Sequence, residues 1–296
     1  MPKNLIVSTA DKNYEILLKE LYKSQKNLTN YDFAILDCGM SESSKAFFRD
    51  DNVQIKIPKW EVELPSLKIR GRDYLKSSFS KFYMQEYFPG YENYIWLDSD
   101  TWINCEKTFE MYIHGANEKG FAICPQIDRA SPRLINIKWF YNFPIKVNSI
   151  NYKNLSRSVS RKLGRKYAGY FTLNGGCFSY NSKFKDIEVL RKNLKIASRK
   201  GRIFGTDQVA LAITTFEDGI EFEMLPSYCN WICEHHLPKF CEKRKIFVEP
   251  YVPHHNIAII HLAGLDDERQ HDHIKHDIIT LNKNVIKKSL RFDKLI

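Results

Sequence analysis

Four short apolar runs in the first 100 residues, separated by stretches of helical periodicity, leave few folds open to this chain. NLIVSTA (4–10) reads as a strand, and 14–22 follows with Ile16, Leu17, Leu18 and Leu21 at helical spacing. YDFAILDCG (31–39) reads as a second strand closed by Gly39. SESSKAFFRD (41–50) then opens a helix with a capping-box-like Ser41 or Ser43. VQIKI (53–57) is a third strand, stopped by Pro58. SFSKFYMQEYF (78–88) reads as one aromatic helix ended by Pro89 and Gly90, and NYIWLDSD (93–100) as a fourth strand. This alternation predicts an α/β fold with a mostly parallel central sheet and helices on both faces. Ligands of such sheets sit just beyond the carboxyl ends of the strands, where Asp11, Asp98 and Asp100 fall.

At 296 residues and 43% hydrophobic composition, the chain has enough apolar material for one large domain or a domain with a small appendage. No apolar run approaches the ~20 residues that span a bilayer. MPKNLIVSTADKNY lacks the long apolar stretch and small-residue cleavage site of a signal peptide, so a cytoplasmic location is expected. The seven cysteines, Cys38, Cys105, Cys124, Cys177, Cys229, Cys233 and Cys241, are an odd, scattered set and form no disulfide framework. In CNWICEHHLPKFC, the residues Cys229, Cys233, His235, His236 and Cys241 are of zinc-binding type. Their spacing matches no common zinc knuckle, and packed, reduced thiols are the expectation.

The net charge of +10 is concentrated. Between Ala130 and Lys185 there are eleven Lys or Arg and no Asp or Glu, so the rest of the chain holds 34 basic and 35 acidic residues. Nucleic acid, an anionic membrane surface or a phosphorylated substrate would be drawn to such a segment, and a solvated basic loop is the plain alternative. Residues 130–168 begin aromatic (WFYNF, 139–143) and become basic and serine-rich (NLSRSVSRKLGRK, 154–166). They are expected to form an insertion or irregular helical pair over the site rather than core sheet. GYFTLNGGCFSYN (169–181) reads as strand, turn, strand about Asn174-Gly175-Gly176. IEVLRKNLKIASRK (187–200) and TDQVALAITTF (206–216) are amphipathic helices, EFEMLPSYCNW and NIAIIHLAG (256–264) are strands, and 271–296 is a basic C-terminal helix or tail.

Side chains at i and i+2 of an extended segment share a face, so Asp98 and Asp100 repel each other unless a cation lies between them. Mg²⁺ and Mn²⁺ take oxygen ligands and bind through one or two carboxylates plus substrate phosphates. D-x-D alone is weak evidence, but His261 ends the apolar run IAIIH and offers a nitrogen to the same ion.

The chain resembles glycosyltransferase family 8, the retaining GT-A enzymes that include glycogenin and bacterial lipopolysaccharide galactosyltransferases. The likeness covers roughly 4–110 and 169–265, with its landmarks in order: IVSTADKNY, FAILDCGMSESSKAFF, the helix and strand leading to D-S-D, TLNGGCFSYN, GTDQVALA and IIHLAG. It implies a GT-A domain over 1–270 that moves a hexose from a UDP-sugar to a glycan or lipid-linked saccharide with retention of configuration. Thr9, Asp11, Asn13 and Tyr14 would hold uracil and ribose. Lys81 and Ser99 would contact the donor, Gly264 and Arg269 would lie by its diphosphate, and Asn174, Gly175 and Gly176 would line the sugar pocket. Asp207 and Gln208 would face the reacting carbon, and Asp98, Asp100 and His261 would hold Mn²⁺ or Mg²⁺. Two departures stand out. LDDERQHDH replaces the family's lysine-aromatic run after H-x-x-G, with Arg269 the available substitute, and Lys81 stands where arginine is more frequent.

The resembling bacterial enzymes act on lipid-linked glycans, so the basic segment and the basic tail NKNVIKKSLRF (282–292) are expected to face an anionic acceptor or the inner surface of a membrane. Two other readings fit less well. A non-catalytic nucleic-acid or polyanion binder would use 153–166 and Trp139, Phe140 and Tyr141, but it leaves the six landmarks unexplained. A sugar nucleotidyltransferase would want a Gly-rich basic loop after the first strand, where TADKNYE supplies none.

Overall fold

The computed structural model describes residues 4–26, 31–132, 134–200 and 202–292. Arg133 of the basic segment and residues 293–296 of the tail lie outside these. The strands in chain order are β1 (Asn4–Ala10), β2 (Tyr31–Asp37), β3 (Gln54–Lys56), β4 (Asn93–Leu97), β5 (Thr101–Ile103), β6 (Phe121–Gln126), β7 (Asn136–Phe140), β8 (Phe143–Asn148), β9 (Thr172–Asn181), β10 (Glu223–Met224), β11 (Trp231–Ile232), β12 (Lys239–Cys241), β13 (Ile246–Val248), β14 (Ile259–His261), β15 (His276–Ile279) and β16 (Val285–Lys288). Seven form a central sheet in the order β10-β6-β9-β4-β1-β2-β3. All its pairings are parallel except those of β9, which runs against both β4 and β6. The expected mostly parallel α/β sheet is present.

The two faces follow from alternation along the strands. On β1, Leu5 and Val7 enter one core with Trp96, Phe178, Leu190 and Leu211; Ile6 enters the other with Ile35, Leu18 and Phe48. Helices α1 (Glu15–Gln25) and α2 (Glu42–Asp50) supply the second core, and the Ile187–Arg199 and Thr206–Phe216 helices supply the first. Because both faces are covered, β4 is buried at every position. Each large apolar side chain so enclosed contributes about 1.5–3 kcal/mol. α2 begins where the sequence indicates: the Ser41 hydroxyl accepts from the Ser44 amide.

Several local expectations are corrected. Residues 77–87 are three short turns, not one helix, broken at Tyr83. Tertiary partners serve the backbone there: Arg191 Nε donates to the Phe82 carbonyl, and the Gln85 amide donates to the Tyr180 hydroxyl. Residues 172–181 form one continuous buried strand, so Asn174-Gly175-Gly176 is not a turn. The aromatic part of the basic segment is the β7–β8 hairpin; the anticipated helical pair follows it as Ile150–Ser158 and Arg161–Lys166. Finally, 276–288 is a strand hairpin, in keeping with its β-branched residues, not an amphipathic helix. It is followed by Leu290, whose carbonyl accepts from Trp102 Nε1 at 2.8 Å, and Arg291, whose Nε meets Glu20 at 3.1 Å.

The seven cysteines are free thiols. Cys229 and Cys233 belong to different apolar cores, and among the described residues no metal-type cluster gathers Cys229, Cys233, His235, His236 and Cys241. Among the described residues no helix is long and apolar enough to cross a membrane.

Candidate active site

Strand pairing assembles the site. A second sheet, β11-β14-β5, sets His261 opposite Thr101, one residue past Asp100, and the Leu262 amide donates to the Asp100 carbonyl at 2.9 Å. The pairing of β4 with β9 sets Leu97 opposite Cys177, and the Asp98 amide donates to the Gly176 carbonyl at 2.7 Å. Asp98-Ser99-Asp100 itself is a tight turn between β4 and β5 rather than extended chain. Its Asp98 carbonyl accepts from the Thr101 amide and hydroxyl. The shared orientation of the two carboxylates therefore comes from this turn and from what faces it.

Ligand-type atoms of Asp98, Asp100 and His261 lie within 4.8 Å of one another. His261 Nε2 is 3.5 Å from Asp100 Oδ1, while its Nδ1 is 2.9 Å from Asn230 Oδ1. The Asn230 side-chain oxygen thus fixes the ring through Nδ1 and leaves Nε2 turned toward the carboxylates. Buried Asn230 was not anticipated: a lone Asn before Trp231 has no local signature, and only the β11–β14 pairing gives it meaning.

Two cations face the three acids. Buried Lys81 donates to the Gly175 carbonyl at 2.9 Å and to Asp207 at 3.0 Å, with Asp98 Oδ1 at 3.5 Å. Arg269 Nη1 donates to Asp100 Oδ2 at 3.1 Å, pairs with Asp266, and lies 5.8 Å from the Tyr14 ring centre. Burial pushes the Asp98 carboxyl up, and neighbouring Asp100 pushes it further; the Lys81 charge only partly offsets this. Burial acts on Asp100 too, but His261 and Arg269 overcome it and hold that carboxyl below its ordinary value. Burial likewise opposes the Lys81 charge, and Asp98 and Asp207 more than restore it.

The glycines of β9 are required by proximity. A Cβ on Gly175 would lie 2.6 Å from Asp207 Oδ2, and one on Gly176 would lie 2.7 Å from the His261 ring and 2.9 Å from Asp98 Oδ2. Gly264 has φ +82°, a conformation that side-chain-bearing residues seldom adopt.

These groups line a cavity of about 510 Å³ at the carboxyl ends of the strands, within the range of small-molecule sites. Thr9, Asp11, Tyr14, Lys81, Asp98, Ser99, Asp100, Asn174, Gly175, Gly176, Asp207, Gln208, His261, Gly264 and Arg269 all line it. Asn13 does not; it is exposed, and its amide and side chain bond back to Asp11. The Thr9 hydroxyl donates to the Leu36 carbonyl, and Gln208 Oε1 accepts from Asn154 at 3.4 Å. A wall the sequence did not signal comes from Tyr74, Leu75, Ser77, Ser78 and the exposed ring of Phe204.

No protein-family model matches the chain, and no curated protein matches it in sequence. Solved structures do. An active-site mutant of LgtC aligns over 88% of this chain and 87% of its own, with 16% identity and a TM-score of 0.50. Galactosyltransferase LgtC in complex with donor and acceptor sugar analogs aligns over the same shares, with 15% identity and a TM-score of 0.46. Mouse xyloside xylosyltransferase 1 covers 79% of this chain and 89% of its own at 11% identity and a TM-score of 0.46. At these identities the likeness is one of architecture: the chain carries the GT-A glycosyltransferase fold, with its cavity at the strand ends.

Proposed function

We propose that the protein is a metal-dependent glycosyltransferase that moves a hexose from a UDP-sugar to a glycan or lipid-linked saccharide. One observation carries this reading: Asp98, Asp100 and His261 converge on one corner of a strand-end cavity whose other walls hold Lys81, Arg269, Asp207 and Gln208. Two carboxylates and an imidazole suit Mn²⁺ or Mg²⁺, and the absence of a Cβ at Gly176 leaves room beside them. A divalent ion there would supply neutralisation of the departing diphosphate.

The chain's own residues divide the remaining work. Asp11 and Tyr14 offer a polar contact and an aromatic face to the nucleoside. Arg269, between Tyr14 and Asp100, is placed to turn from Asp100 toward phosphate oxygens and stands in for the lysine absent after Gly264. Lys81, fixed by Gly175 and Asp207, contributes a preorganised positive charge. Asp207 and Gln208, at the start of the Thr206–Phe216 helix, lie beside Gly175 and Gly176, where the sugar fits. Their oxygens would stabilise positive charge that develops at the anomeric carbon.

The test is thermal stability with UDP, GDP, CDP and ADP, each with and without Mn²⁺. Ligands that bind only the folded state raise the melting temperature by mass action. A shift with UDP that needs Mn²⁺ is expected, followed by turnover of a UDP-hexose. No shift with any nucleotide would overturn the reading.

A further inference from the structure

The β7–β8 hairpin has no place in that chemistry, and it is exposed on both faces. Trp139 is 58% exposed, Phe140 62%, Tyr141 86% and Phe143 73%. An isolated two-stranded hairpin is marginal in water even without such a display, and exposed apolar patches of this kind mark interaction surfaces. We infer that this hairpin is a membrane-docking element whose aromatic tip enters the interfacial zone of an anionic phospholipid bilayer. The inference stands independently of the glycosyltransferase reading.

The arrangement of charge supports a bilayer. Residues 139–145, WFYNFPI, carry no charge. Lys138 and Lys146 flank them and pair directly across the strands, and neither makes an ion pair among the described residues. Like charges placed opposite one another destabilise a hairpin, and an anionic surface removes that cost. Exposed Lys153, Arg157, Arg161 and Arg165 extend the positive field along the two helices that follow, in a stretch without a single acid. From Lys138 to Tyr141 is about 10 Å of strand. With the lysines at the headgroups, the rings reach the roughly 5–10 Å depth of interfacial insertion. Trp and Tyr favour that zone.

Other occupants fit less well. A second copy of the chain would set these lysines against their own duplicates. A single-stranded nucleic acid site interleaves basic residues with stacking rings, and here the rings stand together ahead of the lysines. The root of the hairpin also borders a hollow of about 180 Å³ lined by Gln126, Asn136, Asn148, Lys153 and His235. Gln126 and His235 recur with Asn174 in a smaller pocket next to the main cavity, so the hairpin rises on the same flank as the site.

The experiment is co-sedimentation of the full chain with phosphatidylcholine vesicles, with and without phosphatidylserine, at low and high salt. Binding to the mixed vesicles is expected. Trp139→Ser combined with Phe140→Ser and Tyr141→Ser should reduce it about tenfold or more at either salt. Lys138→Ser with Lys146→Ser should remove the preference for phosphatidylserine, again by roughly tenfold. Unchanged melting temperatures certify that these surface variants are folded. Quenching of tryptophan emission by nitroxide-labelled lipid should fall sharply in Trp139→Phe, because Trp96, Trp102 and Trp231 are buried and Trp60 is partly buried against the core. Absence of vesicle binding at every composition, or equal binding by the triple variant, overturns the inference. Tip-dependent retention on single-stranded nucleic acid without vesicle binding would do the same and assign the hairpin to that partner.

Discussion

Strands β2 and β4 of the central sheet both lead into carboxylates, and the two ends are built differently. At the end of β2, Asp37 Oδ1 accepts from the amides of Gly39 and Met40, and Oδ2 lies 2.9 Å from Lys45. All three partners lie within eight residues, so the turn and the first helical turns of α2 complete this acid locally. At the end of β4, Asp98 and Asp100 meet Lys81, His261 and Arg269, drawn from two remote parts of the chain. Asp37, satisfied by its own turn and outside the cavity lining, caps its strand. Asp98 keeps one local partner, Trp96 Nε1 at 2.7 Å, but the charges that face Asp98 and Asp100 come from distant side chains in a cavity wall, and a ligand can replace those partners. The comparison also shows why Asp98 and Asp100 shift in opposite directions: His261 and Arg269 favour the charge on Asp100, while burial leaves Asp98 short of compensation.

The largest effect that would break this contrast is at Asp100. Asp100→Asn keeps the shape but removes the charge shared by His261 and Arg269. Transfer activity should fall roughly 10³-fold, the scale of losing metal-assisted charge neutralisation. Mn²⁺-dependent stabilisation by UDP should vanish with it. If that stabilisation persists, the end of β4 is a structural cap like the end of β2.

Lys81→Met comes next. It leaves Asp207 and Asp98 facing an apolar stem in a buried setting, at a cost of about 3 kcal/mol when one partner of a buried pair is lost. Denaturant titration of the metal-free protein should show that loss, and saturating Mn²⁺ should narrow it by compensating Asp98. An equal loss with and without Mn²⁺ would separate Lys81 from the metal corner. Asn230→Ala is smaller again. Freeing the His261 ring from its Nδ1 partner should weaken Mn²⁺ binding by about 10–100-fold, measured by titration, with little change in the fold.

How much of this was legible depends on where each residue's partners lie. β1, β2, β4 and the Thr206–Phe216 helix follow local periodicity, and with them Asp11, Asp98 and Asp100 lie just past strand ends and Asp207 at a helix start, all in the cavity wall. His261 was legible because an apolar run ends on it. Asn174-Gly175-Gly176 was misread as a turn because Asn-Gly-Gly ordinarily signals one. Here the glycines make room for the side chains of Asp207, His261 and Asp98, which are 32 to 85 residues away in the chain. Asn230, Tyr74 and Phe204 have no local signature at all. The hairpin's aromatics were visible as composition, but their exposure was not, since WFYNF suits a core equally well.

The smallest effect tests the other side of the contrast. Asp37→Asn keeps the side chain's volume but weakens the two amide contacts and loses the ion pair to Lys45. Burial raises the carboxyl, but Lys45 and the Met40 and Gly39 amides outweigh it, so Asp37 titrates below its ordinary value of 3.8. A carboxylate depressed in the folded state contributes stability above the unfolded-state value and loses it as pH falls through the folded one. Asp37→Asn should therefore cost about 1–2 kcal/mol at neutral pH, the scale of hydrogen bonds to a charged group beside a partly exposed lysine. The gap to the parent protein should close as the pH falls below 3.8, where the parent also loses the charge. UDP and Mn²⁺ should stabilise the variant as much as the parent. Were Asp37→Asn instead to abolish the nucleotide response while leaving the neutral-pH stability intact, local satisfaction would not distinguish a cap from a site, and the reasoning that singles out β4 would fail with it.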